Sequence, residues 1–232
     1  MKNYLTVALI FLSSYTIAQN ETEKADWANL EKYKEENAKL KPSAKTEKRV
    51  VFMGNSITEG WQHADSFFQQ HPQYIDRGIS GQTTPQMLLR FRQDVIQLNP
   101  SAVVILAGIN DIAQNTGPIT LEEIFGNIKS MTELARTNNI KVILSSVLPA
   151  NVIPWRTEIE PADKVIQLNE LLKEYCMKNN IYYVDYYSKL VDDKKGLPKI
   201  YSEDGVHPNA TCYKIMEQLV QEAISKTLHL KT

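Results

Sequence analysis

The stretch "VVFMGNSITEGW", residues 50–61, decides the fold. Val50 to Met53 run without alternation into Gly54-Asn55-Ser56, and a helical pattern then resumes. A short apolar run of this kind reads as a strand covered on both faces, which belongs in a parallel sheet. Counting this run as 49–53, equivalent runs occur at 102–107, 141–147 and 181–185, with a weaker one at 74–77. The intervening segments 85–98, 121–137, 162–179 and 209–230 each gather apolar residues on one helical face. Val165, Leu168, Leu171, Leu172 and Tyr175 form the stripe in the third. Strands alternating with helices predict an α/β domain of βαβ units with right-handed crossovers. In such a sheet, ligands bind beyond the carboxyl ends of the strands. Gly54-Asn55-Ser56 and Gly108-Ile109-Asn110-Asp111 each follow a strand, so both are predicted on one edge of the sheet.

Composition narrows the class. The chain has 232 residues, 43% hydrophobic and 23% charged, which suits one globular domain with a sizeable core. A formal net charge of −1 without a clustered Lys/Arg excess excludes nucleic acid as a partner, because neutralising phosphates needs such clusters. Residues 1–18 carry Lys2, an apolar stretch and a small-x-small end at Thr16-Ile17-Ala18. They read as a secretory signal cleaved before Gln19, giving a periplasmic or secreted protein. The alternative, an uncleaved anchor, fits less well, since the apolar stretch is short for a membrane span. No cysteine stands at the cleavage point for lipid attachment, and no stable membrane insertion is expected after cleavage. Residues 19–48 read as an amphipathic helix and connector, with Trp27, Leu30, Tyr33, Asn37 and Leu40 at helical spacing, and 49–232 as the main domain. An oxidising compartment would let Cys176 and Cys212 pair, but two cysteines on separate helices carry little signal, and buried free thiols are the favoured expectation. Their spacing with His207 is not that of a zinc site.

A serine hydroxyl becomes a nucleophile when a base, usually histidine, removes its proton. His63 lies two helical turns past Ser56, His71 precedes Pro72 in a Gln-rich stretch, and His229 is near the C-terminus. His207 differs. In "EDGVHPN", Asp204 stands three residues before it, where a carboxylate can accept the Nδ1–H and leave Nε2 to face a hydroxyl. Alone, each of these motifs is an ordinary turn signal: Gly-Asn-Ser, Asp-x-x-His, Gly-x-Asn-Asp and the Gly81 of "ISGQTT". Together they supply a nucleophile, a base, an orienting acid and oxyanion donors, all on loops.

The blocks "FMGNSIT", "RGISGQTT", "VVILAGINDI" and "DGVHP", in that order across residues 52–208, resemble the SGNH hydrolases, also called the GDSL esterase/lipase family. That resemblance implies a flavodoxin-like three-layer α/β/α sandwich with a parallel sheet. It implies Ser56 as nucleophile, Asp204 and His207 as acid and base, and an oxyanion hole from Ser56, Gly81 and Asn110. Two-step acyl transfer of this kind requires no metal and no organic cofactor. Asn55 stands where the family often has Asp, which leaves the proposed acid Asp204 untouched. No G-x-S-x-G surrounds Ser56, against an α/β-hydrolase elbow. The "WANLEKYKEENAKL" and "GISGQTT" segments are similar to the acetylhydrolase-like branch, which implies short acyl chains, acetyl above all, carried by a small ester or a glycan. Trp61 and Trp155 are candidates to stack on sugar, with packing in the core as the alternative. Asp111 reads as a structural neighbour of Asn110. The rivals are a lysophospholipase or thioesterase of longer acyl specificity, an acyltransferase, and a silent glycan-binding module.

Overall fold

The computed structural model describes residues 26–40, 48–64 and 66–230; the expected signal at 1–18 lies outside them. Five strands, β1 Val50–Gly54, β2 Tyr74–Gly78, β3 Ala102–Leu106, β4 Lys141–Ser145 and β5 Tyr182–Val184, form one parallel sheet in the order β2-β1-β3-β4-β5. The helices run α1 Lys34–Lys39, α2 Ser56–Glu59, α3 Trp61–Ala64, α4 Phe67–Gln70 and α5 Thr84–Asp94 in the first half. The second half adds α6 Ile109–Ile112, α7 Leu121–Thr137, α8 Ala162–Asn179, α9 Tyr187–Leu190 and α10 Ala210–Leu228. Helices α5, α7 and α8 cover one face, and α10 with α2, α3 and α4 covers the other. Every residue of β1 and β3 is buried, as their unalternating apolar sequence demands. The expected three-layer α/β/α sandwich is therefore the observed one.

The strand order places the site. From β1 the chain first crosses to β2 on one side and then to β3 on the other, so the connections diverge at β1 and β3. Beyond the carboxyl ends of two such strands an open sheet has its crevice. Ser56 follows β1 there, and Asn110 follows β3.

Residues 26–40 depart from the expectation of one continuous amphipathic helix. They form a strap of turns, and only Lys34–Lys39 is helical. Asn29 adopts a left-handed backbone (φ 54°), which interrupts a helix. The Trp27, Ala28 and Leu30 carbonyls then turn outward to accept hydrogen bonds from Gln86, Gln82 and Gln93. Of the apolar stripe, Tyr33 is buried while Trp27 and Leu30 are exposed.

Helix α2 rests directly on strand ends that lack side chains. Gly54 and Gly78 are register partners on β1 and β2. A Cβ on Gly78 would overlap the Glu59 amide nitrogen and lie 2.7 Å from the Asn55 carbonyl oxygen, and both of these are backbone atoms that cannot swing aside. Gly78→Ala is accordingly expected to lower the unfolding free energy by about 1–3 kcal/mol, the range for overpacking a core. The urea midpoint measures this, with exposed Leu89→Ala as a comparison that should shift stability by less than about 0.5 kcal/mol.

Candidate active site

Asn55 sets up the turn that carries Ser56. Its side-chain oxygen accepts from the Ile57 amide at 3.0 Å, and its carbonyl accepts from Thr58 and Glu59. Asn55 thus occupies the amides of Ile57, Thr58 and Glu59 but not that of Ser56. Because α2 is a single turn, the electrostatic benefit to an anion here comes from that local N–H rather than from an extended helix dipole.

The fold brings Ser56 and His207, 151 positions apart, into contact. Ser56 Oγ lies 2.9 Å from His207 Nε2, and His207 Nδ1 lies 2.7 Å from Asp204 Oδ2. The other carboxylate oxygen of Asp204 accepts from the His207 amide (2.8 Å), the Val206 amide (2.9 Å) and the Ser202 hydroxyl (3.1 Å). Partial burial opposes ionisation of Asp204, but the His207 ring and the two amides outweigh it and hold the carboxyl down at about 2. A carboxylate so fixed gives the imidazole one tautomer and leaves Nε2 free to accept a proton from Ser56.

The residues expected to bind an oxyanion are held by partners that sequence reading missed. Asn110 is buried, and its Nδ2 donates one hydrogen to the Gln82 carbonyl at 3.0 Å, leaving the second. Gly81 takes φ 77°, in the left-handed region that glycine tolerates. Its neighbours are pinned: Glu59 accepts from both the Ser80 amide (2.7 Å) and the Ser80 hydroxyl. Gln82 donates to Ala28 O (2.7 Å) and accepts from Arg90 Nε (2.5 Å). Arg90, wholly buried, also pairs with Asp94 and donates to the Gly54 and Arg77 carbonyls. Gln82 lay within the quoted "RGISGQTT" block, so that block carried the signal; Arg90, read only as a helical residue, carried none.

Asp111 is engaged by the start of α5. Its oxygens accept from the Thr84 amide (2.9 and 3.0 Å) and hydroxyl (2.6 Å), tying α6 to the start of α5. Burial pushes its carboxyl up to about 6 against the pull of those donors. This is the structural neighbour that the sequence suggested.

The two tryptophans separate. Trp61 is 2% exposed, stacked on Phe67 (5.0 Å) and Tyr213 (5.1 Å) with Phe52 edge-on, so its expected sugar-stacking role is corrected to core packing. Phe67 of α4 and Tyr213 of α10 cover it against Phe52 of β1. Trp155 is 41% exposed, and its ring centre lies 5.9 Å from that of His207. Cys176 and Cys212 are buried free thiols. Among the described residues no group of His, Cys, Asp and Glu is arranged to hold a metal ion, and no helix is long and apolar enough to cross a membrane. A cavity of 610 Å³ lies at the other end of the sheet, where Arg136, Lys141 and Lys226 surround the carboxyl ends of α7, α8 and α10. Cations there offset helix dipoles, and none of the site residues lines it.

Comparison with known proteins assigns the chain to a family. The GDSL-like Lipase/Acylhydrolase family model matches residues 52–215, and the chain belongs to that family. A solved protein of Bacteroides fragilis, assigned as an acylhydrolase, is 53% identical, with 87% of this chain and 98% of that one covered at a TM-score of 0.85. A GDSL-like lipase of Bacteroides thetaiotaomicron is 53% identical, with 86% and 98% covered at 0.84. The uncharacterized lipoprotein YqeF of Bacillus subtilis is 29% identical over 119 residues, 43% of this chain. The chain spans about half the length of that curated relative (48%).

The depressed Asp204 carboxyl has a consequence for stability. In an unfolded chain an aspartate titrates near ~3.9. The contribution of Asp204 is therefore fully present above that value and is lost as pH falls toward about 2. Urea unfolding of wild type and Asp204→Asn should differ by a constant amount above about pH 5, with the difference shrinking between about pH 4 and 2. A difference that stays constant across that window would contradict the assignment.

Proposed function

We infer that this chain is a serine esterase that removes short acyl groups, acetyl above all, from alcohols such as sugar hydroxyls. The observation that carries this is the hydrogen-bonded line Ser56–His207–Asp204, at 2.9 and 2.7 Å, on the edge of the sheet where an α/β fold binds ligands. His207 Nε2 takes the Ser56 proton as Oγ bonds to the ester carbonyl carbon. The carbonyl oxygen becomes an oxyanion, stabilised by the Ser56 and Gly81 amides and the second Nδ2 hydrogen of Asn110. Collapse breaks the bond to the alcohol oxygen, which takes the proton from His207. Water then attacks the acyl-enzyme, with His207 taking its proton and returning it to Ser56 as the acid departs. Asp204 holds Nδ1–H throughout and stabilises the imidazolium.

Membership of an acylhydrolase family supports ester hydrolysis as the class of reaction. Trp155 supports a sugar on the alcohol side, because an exposed ring beside the base stands where the leaving group departs. Residues 1–18 would direct the protein to the periplasm or outside the cell, as a signal removed before folding. Residues 19–48 would then be the mature N-terminal segment, with 49–232 as the hydrolase domain.

Hydrolysis of p-nitrophenyl esters from acetyl to palmitoyl tests this reading. Turnover should be greatest with acetate, absent in Ser56→Ala, and reduced ~10²–10³-fold in Asn110→Ala, the loss typical of one oxyanion donor. A preference for long chains would replace it with a lipid substrate. Glycan binding without acid release would make the chain a binding module, and acyl transfer to an added sugar would make it an acyltransferase.

A further inference from the structure

Asn115 touches all three parts of the proposed chemistry at once. Its side-chain oxygen accepts from the Trp155 indole N–H at 2.9 Å, its Nδ2 donates to the Gly81 carbonyl at 3.2 Å, and its amide donates to the Asn110 carbonyl at 3.0 Å. The same turn is braced on both sides. Arg156 donates to Gln114 O (3.3 Å), and the Thr116 and Thr83 hydroxyls are 3.1 Å apart. Gly81 needs such a tether. It is exposed, has φ 77°, and would have no atom within 4 Å of an added Cβ, so packing does not restrain it. Its peptide orientation rests on hydrogen bonds: the Ser80 amide to Glu59, the Gln82 amide to Ile79, and its own carbonyl to Asn115. A glycine held only by hydrogen bonds can turn its peptides once one is lost.

We propose that Asn115 is a positioning residue that couples Trp155, the wall beside His207, to the orientation of Gly81 in the oxyanion hole. This rests on the esterase reading. Asn115 touches no reacting atom; it acts through Gly81 and Trp155. A leaving group pressed on Trp155 thereby shifts the same turn that aims the oxyanion donor, and the two recognition events become one. Because Asn115 is exposed, its hydrogen bonds contribute little to stability, yet small displacements at a reacting centre carry large rate penalties.

The test is a double-mutant cycle on methyl acetate, whose alcohol is too small to need an aromatic wall, with acid release followed by titration. Asn115→Ala is expected to lower kcat about tenfold with KM little changed and the melting temperature within a few degrees of wild type. Trp155→Phe keeps the ring but removes the N–H, and should also lower kcat on this small ester. The double variant should be no slower than Asn115→Ala alone, because both changes cut one connection. Asn115→Asp, which keeps the acceptor for Trp155 but turns an oxygen toward the Gly81 carbonyl, should be as slow as Asn115→Ala. Losses that multiply in the double variant, or Trp155→Phe at wild-type rate on methyl acetate, would overturn the coupling. Wild-type acid release lost in Ser56→Ala establishes the esterase separately. Wild type that releases no acid overturns both readings, leaving Asn115 no reaction to position.

Discussion

The seating of α2 on the glycine ends of β1 and β2 sets the position of the turn that bears Ser56. Gly54 and Gly78 end adjacent strands in register, and α2 packs on them, with the Thr58 side chain against the first and the Asn55 and Glu59 backbone against the second. A methyl group on Gly78 would press on the backbone of the turn bearing Ser56, and one on Gly54 would collide with the Thr58 side chain. The same seating lets Glu59, at the end of α2, reach the Ser80 amide and so hold the loop that carries Gly81. Tyr213 Oη, from α10 on the same face, donates to the Ile57 carbonyl at 2.8 Å and closes the turn from behind.

A buried cation reinforces this junction. Arg90 is removed from water, which costs several kcal/mol unless its charge and donors are met. Asp94 meets the charge, and Gln82 with the Gly54 and Arg77 carbonyls meets the donors. Those two carbonyls belong to the ends of β1 and β2, so the guanidinium ties the strand before Ser56 to the loop that carries Gly81 and Gln82. The N-terminal strap adds a second layer: Tyr33 Oη donates to Gly78 O, and Lys32 pairs with Glu59 at 2.5 Å. Its Ala28 carbonyl holds Gln82, whose own carbonyl holds Asn110. The strap is therefore joined to the site by an unbroken chain of hydrogen bonds, although it contributes no group to it.

Burial divides the site into a rigid half and an accessible one. Asn110 and Gln82 are buried and joined by a hydrogen bond, which fixes their dipoles. Asp204, His207, Asn115 and Trp155 stand at the surface.

Much of this was legible in the sequence. Hydrophobic periodicity reports whether a segment is covered on one face or two, so the five strands and four long helices could be read within a few residues of their observed ends. That Ser56, Asp204 and His207 belong together was legible because few residue types can form such a line, and each stood after a strand or in a turn. The sequence by itself therefore determined the layered class and the inventory of reactive groups. It could not distinguish Trp61 from Trp155, since two aromatic residues near turns look alike until the packing of α10 covers one of them. Nor could it find Arg90 or Asn115, or foresee that the strap's carbonyls serve glutamines rather than its own helix. Only the tertiary structure decided those points, because they depend on which distant loops the strand order brings together, and local periodicity carries no record of partners across the fold.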